Sequence, residues 1–244
     1  MFDSPVNVSA VKSHSTAISA SPFPLLSSHF WAVWDPTTHS PEIIRKDTRI
    51  YWMPQCTMNT GNCVGSFFGE NPGSGLAASR LLHVNDPIVD TKKGQGDPTL
   101  RLILEIWQLS VRSHGKPTPK DDDFIEVLNT YYFRNGKSEK SLAAWRLSGG
   151  SAIFFPAPRP SSNFVLLGWG VGHNSTSEAC AAARLLGNYS HIIIPDSTGA
   201  VTVTTGTTVI ASWPVAPAPV APSYMLRKSK TLLPTYKRNV ARAL

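Results

Sequence analysis

Six residues, Arg227, Lys228, Lys230, Lys237, Arg238 and Arg242, form the densest concentration of one chemistry in the 244-residue chain: fixed positive charge with no acid anywhere after Asp196. Each Lys or Arg that meets a phosphate releases a counterion, so this pattern points to sequence-independent, salt-sensitive contact with a polynucleotide. These six are the candidate RNA-binding residues. The bland alternative is a solubilising terminus. Leu232, Leu233 and Tyr236, interleaved with the charges, also suit an amphipathic segment in transient contact with a membrane.

A second chemistry is nucleophilic. Gly61-Asn-Cys-Val-Gly65 places Cys63 in a G-x-C-x-G pattern, with His29 and His39 upstream as possible bases. A pattern this short arises readily by chance, and spacing alone assigns no base, so no catalytic residue is expected. The seven histidines, His83, His114, His173 and His191 among them, show neither H-x-x-x-H nor H-x-H spacing, so no metal site and no cofactor are expected. Asp121-Asp-Asp123 reads as a solvated turn or helix start. Cys56, Cys63 and Cys180 are too few for a disulfide framework.

The elements that would carry these residues follow from composition and punctuation. With 20 prolines, 17 glycines and 16% charged residues against 41% hydrophobic ones, short strands joined by turns are favoured over long surface helices. The net charge of +7 is a tail property: six of the 23 basic residues lie beyond Asp196, leaving 17 against 16 acids before it. No run of 18 apolar residues and no secretory leader is visible. Expected strands are Phe30–Trp34, Arg49–Met53, Val64–Phe68, Arg101–Trp107, Thr130–Phe133, Ala152–Phe155, Phe164–Gly168, Ser190–Ile194, Val201–Thr204 and Thr208–Trp213. In Arg101–Trp107, Leu102, Leu104 and Ile106 share one face, although Ile103 and Trp107 fall with the charges. Hydroxyl residues before Glu178 and Gly187 after Leu186 bracket one helix, Ser175–Leu186. The prolines of 214–222 form an extended connector.

The stretch from Arg49 to Gly75 resembles the region of two successive strands in coat proteins of small positive-strand RNA viruses, of tombusvirus, sobemovirus and ourmiavirus type. Tyr51, Pro54, Thr57, Thr60 and Gly61 hold places corresponding to its Tyr-x-Pro and Thr-x-Gly pattern, with two residues between Tyr51 and Pro54 and with Thr60 next to Gly61, Pro54 ending one strand and Gly61 permitting the turn to the next. The loop Gly69–Gly75 lacks the paired aspartates that bind calcium in many such proteins. The resemblance implies an all-β fold, a single jelly-roll β-sandwich of about eight core strands with short inserted helices and flexible termini. It would comprise an arm at 1–24, a shell domain at 25–213, and a Pro-rich linker and basic tail at 214–244. The implied function is a non-enzymatic capsid subunit that self-assembles with identical copies and packages viral RNA, found in the virion and in the host cytoplasm during assembly, with no small-molecule substrate. The competing readings are a β-barrel viral cysteine protease using Cys63 and a sandwich-type module binding glycans or proteins.

Overall fold

The computed structural model describes residues 26–35, 40–53, 60–70, 76–77, 86–89, 97–131, 137–147, 164–170, 173, 176–215, 218–228 and 230–244. The expected strand Ala152–Phe155 and the expected arm at 1–24 lie outside them, as do Cys56 and His39.

Nine strands among the described residues form one mixed sheet. They are β1 (Leu26–Asp35), β2 (Ser40–Tyr51), β3 (Cys63–Gly69), β4 (Leu76–Ala77), β5 (Asp86–Val89), β6 (Phe124–Asn129), β7 (Val165–Gly168), β8 (Ile192–Pro195) and β9 (Val201–Thr204). Their spatial order is β4-β5-β1-β2-β6-β3-β7-β8-β9. The centre is parallel, since β3 pairs in parallel with both β6 and β7, and β7 with β8. The flanks are antiparallel: β1 with β2, β2 with β6, and β8 with β9. Six α-helices among the described residues accompany them: α1 (Pro98–His114), α2 (Ser138–Leu147), α3 (Ser177–Arg184), α4 (Gly206–Ala211), α5 (Pro222–Lys228) and α6 (Leu233–Ala243).

This corrects the jelly-roll expectation. A sandwich buries one face of each sheet, whereas here the central strands β3, β6, β7 and β8 of a single sheet are covered on both faces. Phe67, Ile125, Val127, Leu166 and Ile193 pack against α1, α5 and α6. Their neighbours Phe68, Leu128, Val165, Leu167, Ile192 and Ile194 pack with Ala179, Ala182 and Ala183 of α3 on the other side. A strand buried on both faces needs apolar residues at consecutive positions, which is why β7 and β8 read as unbroken apolar runs.

The expected strand Arg101–Trp107 lies inside α1. Asp97 caps that helix by accepting from the amides of Thr99 (2.9 Å) and Leu100 (3.3 Å), Pro98 occupies the first turn, and Gly115 ends it in a left-handed conformation at φ 63°. Ile103 and Trp107, the two misfits to strand alternation, join Leu100, Leu104 and Val111 on a stripe of helical period, all buried. The expected strand Thr208–Trp213 is likewise largely α4, capped by Thr205. The helix expected at Ser175–Leu186 forms as α3 followed by a 3-10 turn at Leu185–Asn188.

The expectation of a flexible carboxyl terminus is also corrected. Met225 of α5 and Tyr236, Val240 and Ala241 of α6 are buried in the core shared with α1. The imidazole of His191 meets the Ala243 carbonyl at 2.6 Å, and the Asn239 amide donates to the Gly199 carbonyl at 2.8 Å, tying α6 to the sheet.

Candidate functional site

After β3 the chain forms β4 and β5 at the far flank, enters β6 through α1 on one side of β3, then passes β3 to β7 and β8 on the other. The direction of winding therefore reverses beside β3. In open sheets of this kind the reversal separates the loops at the carboxyl ends of the two strands and opens a crevice there, the usual place for a ligand.

The residues that follow β3, β6 and β7 meet at this edge. The amide of Thr130 donates to the carbonyls of Gly69 and Glu70, each at 3.1 Å, which sets the end of β6 beside the end of β3. The Tyr131 hydroxyl then donates to Glu70 Oε1 at 2.7 Å. Burial, followed by the Glu70 charge, pushes the Tyr131 hydroxyl far above the usual phenol range, so it stays a donor. Glu70 Oε2 has no hydrogen-bond partner among the described residues and faces Gly170, where an added Cβ would stand 3.5 Å from it. The carboxylate is thus fixed through one oxygen and open at the other.

His173 completes the cluster from the turn after β7. Its side chain is 1% exposed, with Nε2 3.0 Å from Thr130 Oγ1, Nδ1 3.3 Å from Thr176 Oγ1, and Nδ1 3.7 Å from Glu70 Oε1. Counting donors settles the tautomer. The Thr176 hydroxyl spends its proton on the His173 carbonyl (2.9 Å) and accepts from the Ala179 amide (3.2 Å), so Nδ1 must carry the hydrogen. Nε2 then accepts from Thr130. Burial lowers the His173 pKa below its ordinary value, the nearby acids opposing that shift, so the ring is neutral near pH 7. Trp169, Tyr131 and His173 pack edge to face around it.

Arg146 of α2 grips Glu178 of α3 with two bonds, Nε to Oε1 at 2.7 Å and Nη2 to Oε2 at 3.2 Å. The guanidinium holds the Glu178 carboxyl down at about 2. A depressed carboxyl contributes stability that is complete above its unfolded value near pH 4.5 and lost as pH falls toward 2. Urea unfolding of wild type and Glu178→Gln across pH 7 to 2 is expected to show a modest deficit in the variant that shrinks to nothing at the acid end. A pH-independent deficit would show that the charge pair is not its source.

The residues singled out from the sequence lie elsewhere. Cys63 begins β3, at the opposite edge of the sheet from Glu70, and its thiol contacts the Gly65 carbonyl at 3.4 Å. The Asp121–Asp123 loop is a clamp for the segment before β3. Asp122 accepts from the Thr60 hydroxyl, and Asp123 accepts from the backbone amides of Asn62 (3.0 Å) and Lys120 (2.9 Å). A Cβ on Gly61 would fall 1.9 Å from the Asp122 carbonyl oxygen, so close approach, and not turn geometry, demands glycine there. Arg227 and Lys228 belong to α5 and Lys230 to the turn after it, while Lys237, Arg238 and Arg242 lie on α6. No group of three or more potential metal ligands exists among the described residues.

Sequence reasoning missed Glu70, Tyr131 and the role of His173. The apolar runs Val165–Leu167 and Ile192–Ile194 and the apolar-rich Phe124–Leu128, separated by helical segments, carried the information. Read as parallel strands, they would have directed attention to the residues just after each run. No protein-family model, curated protein or solved structure matches the chain.

Proposed function

We propose that this protein binds a small polar ligand in the crevice beyond the carboxyl ends of β3, β6 and β7, and that Glu70 is the acceptor the ligand meets. The observation that carries this reading is the half-engaged Glu70 carboxylate, pinned by Tyr131 through Oε1 with Oε2 unpartnered over Gly170. A carboxylate held in this way accepts from an N–H or O–H group and can take up a proton from it.

The charges nearby narrow the ligand. Among the described residues Arg146 and Glu178 neutralise each other, which leaves the Glu70 charge, so the site favours a neutral or cationic donor group, such as an amine, an amide, a heterocyclic N–H or a sugar hydroxyl, over a phosphate. The resemblance of the Arg49–Gly75 stretch implied both a shell subunit and a jelly roll; the single mixed sheet corrects the jelly roll and does not test the shell function. No helix among the described residues is long and apolar enough to cross a membrane.

The test is a thermal-shift screen of wild type and Glu70→Gln against nucleosides, monosaccharides, amino acids and polyamines. A ligand present at about 100 times its dissociation constant stabilises the folded state by about 2.7 kcal/mol, several degrees in Tm. At least one class is expected to raise the wild-type Tm, with most of that rise lost in Glu70→Gln. Equal shifts in the two proteins would remove Glu70 from the site.

A further inference from the structure

In the helical layer that covers one face of the sheet, the last turns of α1 and the length of α6 enclose an open groove of about 500 Å3, lined by Leu109, Ser113, His114, Lys237, Arg238 and Arg242 among others. None of these residues belongs to the cluster of Glu70, Tyr131 and His173. The floor is apolar and the rim is basic.

Charge decides what fits. Lys237 is engaged by Glu105 at 2.7 Å. Arg238 and Arg242 are exposed, one helical turn apart on α6, and make no ion pair among the described residues. Arg112, in the last turn of α1, and Lys116, just beyond the Gly115 cap, are also exposed. Burial of Tyr236, Val240 and Ala241 against α1 fixes the opposite face of α6, so these cations are presented on a rigid surface. Two unpaired guanidiniums about one turn apart beside a second basic segment suit successive phosphates of a flexible strand, and the apolar floor suits an unstacked base.

We infer that the α1–α6 groove is a binding surface for a single-stranded polynucleotide, with Arg238 and Arg242 on its phosphates. This narrows the six-residue basic run to the part of it that the fold gathers into one groove. It is independent of the proposed crevice ligand, because the two sites share no residue.

The probe is a fluorescein-labelled 12-nucleotide oligouridylate, followed by anisotropy from 25 to 200 mM NaCl. Binding is expected to weaken with salt. The Arg238→Gln/Arg242→Gln double variant is expected to lose about tenfold or more in affinity at the lowest salt and to flatten the log–log salt slope by about 1.4, the loss of two single-strand phosphate contacts. The Arg238→Lys/Arg242→Lys protein, which keeps both charges, is expected to retain most of the binding and the slope. Three results would overturn the inference: wild-type affinity and slope in the double glutamine variant, no oligouridylate binding by wild type at 25 mM NaCl, or binding only to phosphatidylserine vesicles.

Discussion

Trp169→Ala is expected to cost about 3–5 kcal/mol, a large part of the stability of a domain this size. The indole is wholly buried at the end of β7. It meets Phe68 at a centroid distance of 5.1 Å, Trp213 at 5.2 Å and His173 at 5.9 Å, each edge to face. Truncation removes these contacts and leaves a cavity between the sheet and α3 that a backbone held in parallel ladders cannot close. Trp169→Phe is expected to cost far less. The Trp169 indole nitrogen is buried with no hydrogen-bond partner among the described residues. An unsatisfied buried donor costs about 1–3 kcal/mol, so a ring without it recovers part of what the smaller volume loses. Urea unfolding of the three proteins gives the comparison. A loss below about 1 kcal/mol for Ala would show that this ring is not a keystone of the core.

The second large effect belongs to His173. His173→Ala removes the acceptor for the buried Thr130 hydroxyl and the donor to Thr176, and opens space between Trp169 and Tyr131. A loss of about 3 kcal/mol at pH 7.5 is expected from the stranded hydroxyl and the cavity together. Its dependence on pH separates a neutral buried imidazole from any other well-packed ring. In the unfolded chain this histidine takes up a proton near pH 6.5, while in the folded protein burial defers protonation to lower pH. The unfolded state therefore binds more protons, and wild-type stability, complete above about pH 6.5, falls as the medium is acidified below it. His173→Gln keeps a polar group of similar reach and is expected to lack that component of the acid slope. Unfolding free energies from pH 7.5 to 5 provide the check, and parallel slopes for wild type and His173→Gln would refute the assignment of a neutral, proton-resisting His173.

The Glu70 crevice and the basic groove were legible in the sequence to different degrees. The groove cations were visible as a run of six, because net charge is additive and needs no fold to be counted. Which three of them share a surface was not visible, because helical phase and the burial of Tyr236 and Val240 decide it. For Glu70 the sequence held no comparable mark: an acid in a Gly-rich loop is ordinary until β6 is docked in parallel beside β3 and brings Tyr131 to it. His173 was visible as a histidine without ligand spacing, and its partners Thr130 and Thr176 come from two different crossovers.

By itself the sequence determined what local chemistry can determine: α3 with its hydroxyl cap, most of the strand positions, and the accumulation of charge after Asp196. The caps of α1, Asp97-Pro98 and Gly115, were also in it, and they outweighed the partial alternation of Arg101–Trp107. Tertiary structure alone decided the layer arrangement. An apolar run such as Ile192–Ile194 is compatible with a sandwich strand or with a parallel strand buried on both faces, and the difference lies in whether helices cover the second face. That covering is made by residues far away in the chain, α1, α5 and α6 on one side and α3 on the other. The same long-range packing brings Glu70, Tyr131 and His173 together after β3, β6 and β7, and sets Arg238 and Arg242 in the groove between α1 and α6.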